Sequence, residues 1–415
     1  MTATSATSAD SALNDAVPRL RPVVLVLAIV AGQLQNVGQT YLPGIGAVAL
    51  VDDALVIIAF LLSIRFLGRA PGPVSALAIS WLALSSAALI LTSTFGPASA
   101  EIATTMFRQI AAPALLILIG LTLKWQEWMT IARVVVVLGL VNAVYIALET
   151  AVGPLVDPGV YAQLNDYRIY ADGLPSPYHG NNLITGERIT RAGGLLLNPP
   201  TMSLFIGVSA VLAFNIYRGW ARWMSVAVLL LALYATNGRS GILLAVIGLL
   251  GPVLFRVVGA WAAIVFIVIA GVNIGAQIAE HGGSGKHLSG LTAGLGHAID
   301  FPFGRGFGYV GNSATGELIE EGDGGAESLL GIAFSALGMS ALILILILVI
   351  AYAWLLQTTA DNYGASIGLG AVTAALLVES ASAVNGTVPI WLAAGLAFVP
   401  PLATRLRKGA ASAVQ

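Results

Sequence analysis

Residues 327–356 read ESLLGIAFSALGMSALILILILVIAYAWLL, and Glu327 is the only charged residue in this stretch. A helix that crosses a bilayer needs about 20 mostly apolar residues, because its backbone polar groups must be satisfied within the segment itself. The stretch exceeds that length. We therefore predict one long membrane-spanning helix with Glu327 at its end.

The rest of the 415-residue chain has the same apolar character. Apolar residues make up 57% of it, charged residues 9%, and the mean hydropathy is +0.88. A soluble domain carries about 25% charged residues, so the composition indicates an integral membrane protein. The absence of cysteine from the sequence excludes disulfides and a cysteine nucleophile, and the net charge of −1 gives no indication of nucleic-acid binding.

The sequence predicts an all-α polytopic membrane protein with about twelve transmembrane helices. These form a single bundle over residues 21–404, flanked by tails of residues 1–20 and 405–415. The predicted spans are 21–40, 43–64, 74–94, 103–123, 130–152, 194–216, 222–237, 240–256, 258–278, 327–356, 364–383 and 387–404.

Basic residues orient the bundle, because cytoplasmic loops of membrane proteins are enriched in Lys and Arg. With the N-terminus in the cytoplasm, most basic residues fall on the cytoplasmic side, and the C-terminus lies there too. The two long loops, about 153–193 and 279–326, then both face outward. The Gly-rich second loop is predicted to form turns rather than a packed domain. We therefore expect the function to be exerted at the outer leaflet.

Two arginines, Arg188 and Arg191, precede Asn198-Pro199-Pro200 in the region where the sixth span begins. Asn-Pro-Pro is typical of a helix start or a re-entrant break. A guanidinium beside such a break has the fork geometry that binds phosphate oxygens in a bidentate way. The alternative is that these arginines only reach the lipid headgroups from a helix end.

Arg239 lies in the short outer turn 236–241, at the start of the eighth span. The positive end of the helix dipole opposes its charge there, whereas the free backbone N–H groups of a helix start favour an anion. We therefore predict that Arg239 has a negatively charged partner.

Two further candidates lie in or beside the second long loop. Glu327 is either a helix-end acid that stabilises the dipole or, beside the arginines, a general base acting on a hydroxyl. Arg305 lies in Gly304-Arg305-Gly306. This glycine spacing resembles that of a dinucleotide loop, but no parallel strand is predicted before it, so we expect Arg305 to assist anion binding instead.

Charged residues within membrane spans usually face the bundle interior or pair with one another. This group comprises Asp52, Asp53, Arg108, Glu149 and Glu379. We predict that Arg108 pairs with one of the acids. The histidines of the second loop lack a zinc-binding spacing, so no metal site is predicted.

Three motifs in order resemble those of the O-antigen ligase and polymerase family of bacterial membrane glycosyltransferases. They are Arg191 with residues 194–200, the turn 236–241, and the segment 302–308. The resemblance covers about residues 188–345. Pro200 and Gly238 stand where the family often has Asn and Ser. Glu327 stands where ligases tend to carry His and some polymerases carry Glu-Ser.

The resemblance implies a GT-C-like fold and a donor glycan linked to undecaprenyl diphosphate, with no cofactor. It implies that Arg191 and Arg239 bind the diphosphate, that Arg188 and Arg305 assist, and that Glu327 orients or deprotonates the acceptor. Arginines are able to stabilise the charge that develops on a leaving diphosphate without a metal. The implied location is the bacterial cytoplasmic membrane with the site facing outward, and a flippase and a chain-length regulator are implied as partners.

Polymerisation of the repeat units of a surface polysaccharide is the function that this resemblance favours. A ligase differs only in the glycan acceptor, so the sequence leaves it open. A twelve-span secondary transporter is a third alternative. The short turn at residues 218–222 and the outward position of both long loops are unlike many two-half transporters.

Overall fold

The protein is described by a computed structural model covering residues 6–42, 48, 50–70, 72–96, 98–164, 168–181, 187–259, 261, 265, 285–309, 328–358, 363–377, 381 and 383–399. Most of it is helical. The described helices are α1 (Ala6–Tyr41), α2 (Val51–Ile64), α3 (Gly72–Phe95), α4 (Ala100–Thr122), α5 (Trp125–Val152), α6 (Pro158–Leu164), α7 (Pro199–Ile216), α8 (Gly219–Thr236), α9 (Arg239–Val258), α10 (Gly285–Asp300), α11 (Leu329–Leu337), α12 (Met339–Thr358), α13 (Tyr363–Leu377) and α14 (Val384–Leu396). Two short antiparallel strands, β1 (His179–Asn181) and β2 (Arg188–Thr190), form a hairpin.

Eight of the described helices are long and apolar enough to cross a membrane: α1 from Leu20 onward, α3, α4, α5, α7, α8, α9 and α12. Helices α13 and α14 are apolar but shorter. The prediction of an all-α membrane protein is confirmed at this level. The count of about twelve spans stays a prediction, because most of the span predicted at 258–278 lies outside the described residues.

The stretch 327–356 was predicted as one helix, and the structure instead divides it in two. Helix α11 ends at Leu337 and α12 begins at Met339, with Gly338 between them at φ 64°. This φ favours glycine, and a Cβ at Gly338 would also lie 2.3 Å from the carbonyl oxygen of Pro302. The N–H of Met339 donates to the same oxygen over 2.9 Å. A segment of the second long loop thus supplies an acceptor where the helix is interrupted.

The second long loop also contains a helix, so the prediction of turns is wrong for residues 285–300. Helix α10 packs against α11 at two glycines, and a Cβ at Gly294 would lie only 2.3 Å from the carbonyl oxygen of Gly331. Close packing between helices offsets the low helix propensity of glycine here. At the N-terminus, α1 begins at Ala6, so much of the predicted tail 1–20 is helical. Residues 405–415 lie outside the described residues.

Helix α7 is the most buried of the eight candidate spans. It packs against α5, α8, α9 and α14. Small residues allow the close approach: a Cβ at Gly207 would lie 2.5 Å from the carbonyl oxygen of Gly241 in α9, and one at Gly139 in α5 would lie 2.6 Å from Ser209. Helix α7 is therefore held by neighbours on several sides.

Charged pairs connect helices away from the start of α7. Arg21 of α1 is fully buried, forms an ion pair with Glu127 at the start of α5, and donates to the carbonyl oxygen of Thr122 over 3.1 Å. Arg108 of α4 pairs with Asp53 of α2, with 2.6 Å between Nε and Oδ2. The prediction that Arg108 pairs with an acid is confirmed.

Candidate functional site

The chain makes a tight polar turn immediately before α7. Residues Gly194–Leu196 form a 3-10 turn, and Leu197 follows with the left-handed φ of 50°. Helix α7 therefore begins at Pro199, rather than at the predicted position 194. Asn198 caps it by accepting the N–H of Thr201 over 3.2 Å, and Pro199 and Pro200 occupy its first positions. The prediction of a helix start at Asn-Pro-Pro is confirmed.

Side chains from α1 and α5 satisfy the backbone groups of this turn. Glu149 Oε2 accepts the N–H of Gly194 over 2.9 Å, and Asn142 Oδ1 accepts that of Leu195 over 3.1 Å. Asn36 donates to the carbonyl oxygen of Leu196. Asn142 lies about 15 Å along α5 from the end of that helix, at 1.5 Å per residue. The turn is thus inside the helical bundle, where unpaired backbone groups are costly.

The second arginine segment packs directly on the first turn of α7. Helix α8 ends at Thr236, Asn237 has a φ of 45°, and α9 begins at Arg239. A Cβ at Gly238 would lie 2.0 Å from the side chain of Ser203, and one at Gly241 would lie 2.1 Å from the Ser203 carbonyl oxygen. The glycines on both sides of Arg239 therefore permit this close approach. The predicted position of Arg239 at a helix start is confirmed.

The β-hairpin connects the two arginine segments. The Nδ2 of Asn237 donates to the carbonyl oxygen of Asn181 in β1 over 2.8 Å. Directly after β2, the N–H of Ala192 donates to the carbonyl oxygen of Ala235 over 3.3 Å. These bonds hold the chain around residue 191 against the end of α8, at Ala235, four residues before Arg239 in the sequence.

Arg191 is oriented by backbone carbonyl groups. Its Nη2 donates to the carbonyl oxygens of Pro177 and His179, over 2.8 and 2.7 Å. The backbone N–H of Arg191 donates to the carbonyl oxygen of Tyr178 over 2.7 Å. The buried Nε has no hydrogen-bond partner among the residues described. Arg191 thus has a fixed guanidinium that retains unused donor capacity.

The charges of Arg191 and Arg239 act on each other. Burial first, and then the positive charge of Arg239, together lower the pKa of Arg191 to about 10. The structure therefore brings together the two arginines that the sequence predicted as a pair. Two cations in a partly buried place repel each other, and an anion between them would relieve that repulsion.

Arg188 lies elsewhere on the hairpin. Its exposed side chain is over the ring of Tyr170, with 4.3 Å between the guanidinium carbon and the ring centroid. The Tyr170 ring also contacts His179 edge-on, at 4.5 Å between centroids. The described contact of Arg188 is thus with the aromatic ring of Tyr170 beside the hairpin.

Arg305 belongs to a different cluster. Its N–H donates to the carbonyl oxygen of Ser335 near the end of α11 over 2.8 Å. Its guanidinium lies 3.3 Å from His297 Nε2, and over the rings of Phe301 and Tyr309. The segment 304–306 is therefore a loop along α11, and the described contacts of Arg305 are with Ser335, His297, Phe301 and Tyr309.

Glu327 lies outside the described residues, as does Glu379. The next residue, Ser328, caps α11 by accepting the N–H of Gly331 over 3.2 Å. Its hydroxyl donates to the carbonyl oxygen of Leu376 in α13 over 2.8 Å. The start of α11 is therefore held against the end of α13.

Sequence reasoning missed most of the residues that support the arginine pair, namely Asn36, Asn142, Tyr178, His179 and Gln33, whose Oε1 accepts a hydrogen bond from Asn142 Nδ2 over 2.9 Å. A signal for three of them was present, because Gln33, Asn36 and Asn142 are amides within otherwise apolar spans. Polar residues at such positions usually have a buried partner. Glu149 was predicted to face the bundle interior, and it is buried there.

No known family model matches this chain, and no curated protein matches it either. Fold and site together define a membrane-embedded helical protein in which two neighbouring arginines lie beside the polar turn that precedes α7.

Proposed function

We propose that this protein is a membrane glycosyltransferase that uses a polyprenyl-diphosphate-linked glycan as donor and joins repeat units of a surface polysaccharide. The observation that best supports the proposal is the proximity of Arg191 and Arg239 beside the start of α7. A diphosphate is the kind of anion that two guanidinium groups bind well, because each presents a planar fork of donors.

The reaction needs two things from the protein. The bond between the anomeric carbon and the diphosphate breaks, so the leaving diphosphate must be stabilised as its negative charge grows. We assign this to Arg191 and Arg239. The acceptor hydroxyl must lose its proton as the new glycosidic bond forms, and Glu327 is proposed to orient or deprotonate that hydroxyl.

Arg188 and Arg305 were expected to assist with the diphosphate. Their described contacts are with Tyr170 and with the cluster of His297, Phe301 and Tyr309. We therefore assign diphosphate binding to Arg191 and Arg239 alone.

The polyprenyl tail of the donor requires an apolar place between helices. A cavity of about 70 Å³ that opens to the surface is lined by apolar side chains of α3, α4, α11, α12, α13 and α14, among them Trp81, Ile117, Leu330, Leu348 and Trp391. Leu329 and Leu330, the first residues of α11, form part of this lining. A hydrocarbon chain in the cavity would therefore pass close to the residue that follows Glu327.

The proposed setting is the cytoplasmic membrane of a bacterium, with both termini in the cytoplasm and the arginine pair open to the outer side. A flippase that delivers the donor and a chain-length regulator are the proposed partners. A ligase would use the same arginines and donor but another glycan acceptor.

The test is a reaction of the purified protein with a synthetic polyprenyl-diphosphate oligosaccharide, followed by mass spectrometry. A ladder of lengthening lipid-linked glycan is the expected result. Transfer only after another acceptor is added would identify a ligase. No transfer to any acceptor, with folded protein, would overturn the glycosyltransferase proposal.

One observation favours a secondary transporter as the second candidate. Interrupted helices are typical of transporter binding sites, and α11 and α12 are one apolar stretch interrupted at Gly338. Uptake of a labelled solute into proteoliposomes, driven by an ion gradient and lost in Arg239→Ala, would support the transporter.

A further inference from the structure

Glu149 is a buried carboxylate close to the arginine pair that the proposed reaction does not use. It lies in the last turn of α5, and 5% of its surface is exposed. Oε2 accepts the N–H of Gly194, and the backbone of Gly193 and the hydroxyl of Tyr178 also lie beside the carboxylate. An amide side chain would accept the same N–H without placing a negative charge inside the bundle. The hydrogen bond to Gly194 alone therefore does not account for a charged side chain at this buried position.

Tyr178 connects this carboxylate to Arg191. Its ring is buried, and its hydroxyl lies beside Glu149. A Cβ at Gly193 would lie 2.5 Å from that hydroxyl oxygen, so the ring packs directly on the turn before α7. At the backbone of the same residue, the Tyr178 carbonyl oxygen accepts the N–H of Arg191. Moving the ring would thus move the backbone that holds Arg191.

The guanidinium of Arg191 is tied to the same short segment. Its Nη2 donates to the carbonyl oxygens on both sides of Tyr178, those of Pro177 and His179. The backbone after Arg191 leads within three residues to Gly194, whose N–H is held by Glu149. Glu149 therefore fixes the segment that carries Arg191 from two directions, through Tyr178 and through Gly194.

We propose that Glu149 is a positioning residue of the arginine site, which sets the place of the Arg191 guanidinium relative to that of Arg239. This inference rests on the proposed function, in which Arg191 binds the donor diphosphate. A charge-assisted hydrogen bond is roughly twice as strong as a neutral one, so the carboxylate holds the Gly193–Gly194 turn more firmly than an amide. Misplacement of a binding group by about 1 Å is enough to slow a reaction by about 100-fold.

Helix α5 offers a matched control at its other end. Glu127 is also a buried carboxylate, with 6% exposure, and it forms an ion pair with Arg21. It lies at the first turn of the helix, whereas Glu149 lies at the last. Glu127→Gln therefore tests the loss of a buried carboxylate from α5 without touching the turn before α7.

The experiment is a double-mutant cycle between Glu149 and Arg191, with the initial rate of glycosyl transfer and the KM for the polyprenyl-diphosphate donor as readouts. We expect Glu149→Ala to lower kcat/KM for the donor by about 10- to 100-fold. In the Arg191→Ala background the same change should lower it by less than about 3-fold, because the guanidinium that Glu149 positions is then absent. Glu149→Gln should retain part of the activity, since it keeps an acceptor for Gly194.

Glu127→Gln should change kcat/KM by the same small factor in both backgrounds. If the factor by which Glu149→Ala lowers kcat/KM is the same with and without Arg191, the positioning role is overturned. Full activity of Glu149→Ala would overturn it as well. If Glu149→Ala does not fold, the same comparison of kcat/KM is made with Glu149→Gln in the native and Arg191→Ala backgrounds. Full activity of Arg191→Ala itself would instead refute the diphosphate-binding proposal, so the two failures are distinguishable.

Discussion

The guanidinium of Arg191 is close enough to Arg239 that the charge of one lowers the pKa of the other. Forty-eight positions separate the two residues in the sequence, and the contacts of Asn237 with β1 and of Ala192 with α8 bring them together. Like charges at short distance are unfavourable unless an anion joins them. This relationship is the basis of the predictions on Arg239 and Arg191.

Arg239→Ala should abolish polymer growth, with a loss of at least about 100-fold in the transfer rate, because one of two groups that stabilise the leaving diphosphate is removed. Protein abundance in the membrane should be unchanged, since the substitution removes a repulsive charge from the site. Polymer length in cells and transfer rate in detergent measure the effect. Wild-type polymer length in this variant would rule out the role of Arg239 in diphosphate binding.

Arg188→Ala is the matched control for Arg239→Ala. Arg188 is an exposed arginine of the hairpin, and its described contact is with Tyr170. We expect its loss to change the transfer rate by less than about 3-fold, as is usual for an exposed side chain away from the reacting groups. An effect as large as that of Arg239→Ala would require Arg188 to bind the diphosphate after all.

Arg191→Lys should make donor binding depend on pH. Burial and the charge of Arg239 together lower the pKa of Arg191 to about 10, so the guanidinium stays charged at neutral pH. Lysine starts from an ordinary pKa of about 10.4, which the same burial and the neighbouring charge of Arg239 would lower toward the neutral range. The charged form is the one that binds an anion, and rising pH removes it.

The measurement is binding of farnesyl diphosphate from pH 7 to 9. Affinity of the native protein should change little from the titration of Arg191, whereas affinity of Arg191→Lys should decrease with rising pH. Equal and pH-independent binding by both proteins would mean that the ligand does not depend on the charge at residue 191.

Alanine substitutions at Gly238 and Gly241 should respond differently to a second substitution, Ser203→Gly. Gly238→Ala would place a Cβ against the Ser203 side chain, whereas Gly241→Ala would place one against the Ser203 carbonyl oxygen. Each should lower thermal stability by a few kcal/mol through overpacking. Adding Ser203→Gly should restore stability to Gly238→Ala only, because it removes a side chain and leaves the backbone in place. Thermal unfolding in detergent measures both pairs, and equal rescue would contradict the described packing.

Asp53→Asn should lower stability without changing the chemistry. The substitution leaves the Arg108 guanidinium without its 2.6 Å carboxylate partner, at a cost of about 1–3 kcal/mol. Because Arg108 pairs with α2 and is outside the arginine site, the transfer rate per folded molecule should be that of the native protein. A reduced transfer rate at an equal folded fraction would mean that the Asp53–Arg108 ion pair contributes to the reaction as well as to stability. Glu101→Gln, an exposed first-turn acid of α4, is the control and should have little effect.

Part of the candidate site was predictable from local sequence rules. Asn198 with Pro199 and Pro200 starts a helix because the cap and the missing proline N–H groups suit a first turn. Arg239 between two glycines indicated a close approach at a helix start. Residues 142 and 178 could not be assigned in this way, because their partners lie in other segments of the chain.

The sequence by itself determined that this is a helical membrane protein, because apolar length and the lack of charge act within each segment. It also indicated a helix start at Asn-Pro-Pro and at Arg239, since caps, prolines and glycines act on their immediate neighbours, although the predicted span began at 194, five residues before α7. Only the tertiary structure decided that Arg191 and Arg239 share one place, and that Arg188 and Arg305 make their described contacts elsewhere. It also decided the break at Gly338, where the acceptor comes from Pro302. Such contacts depend on how distant segments pack, and no local pattern encodes that packing.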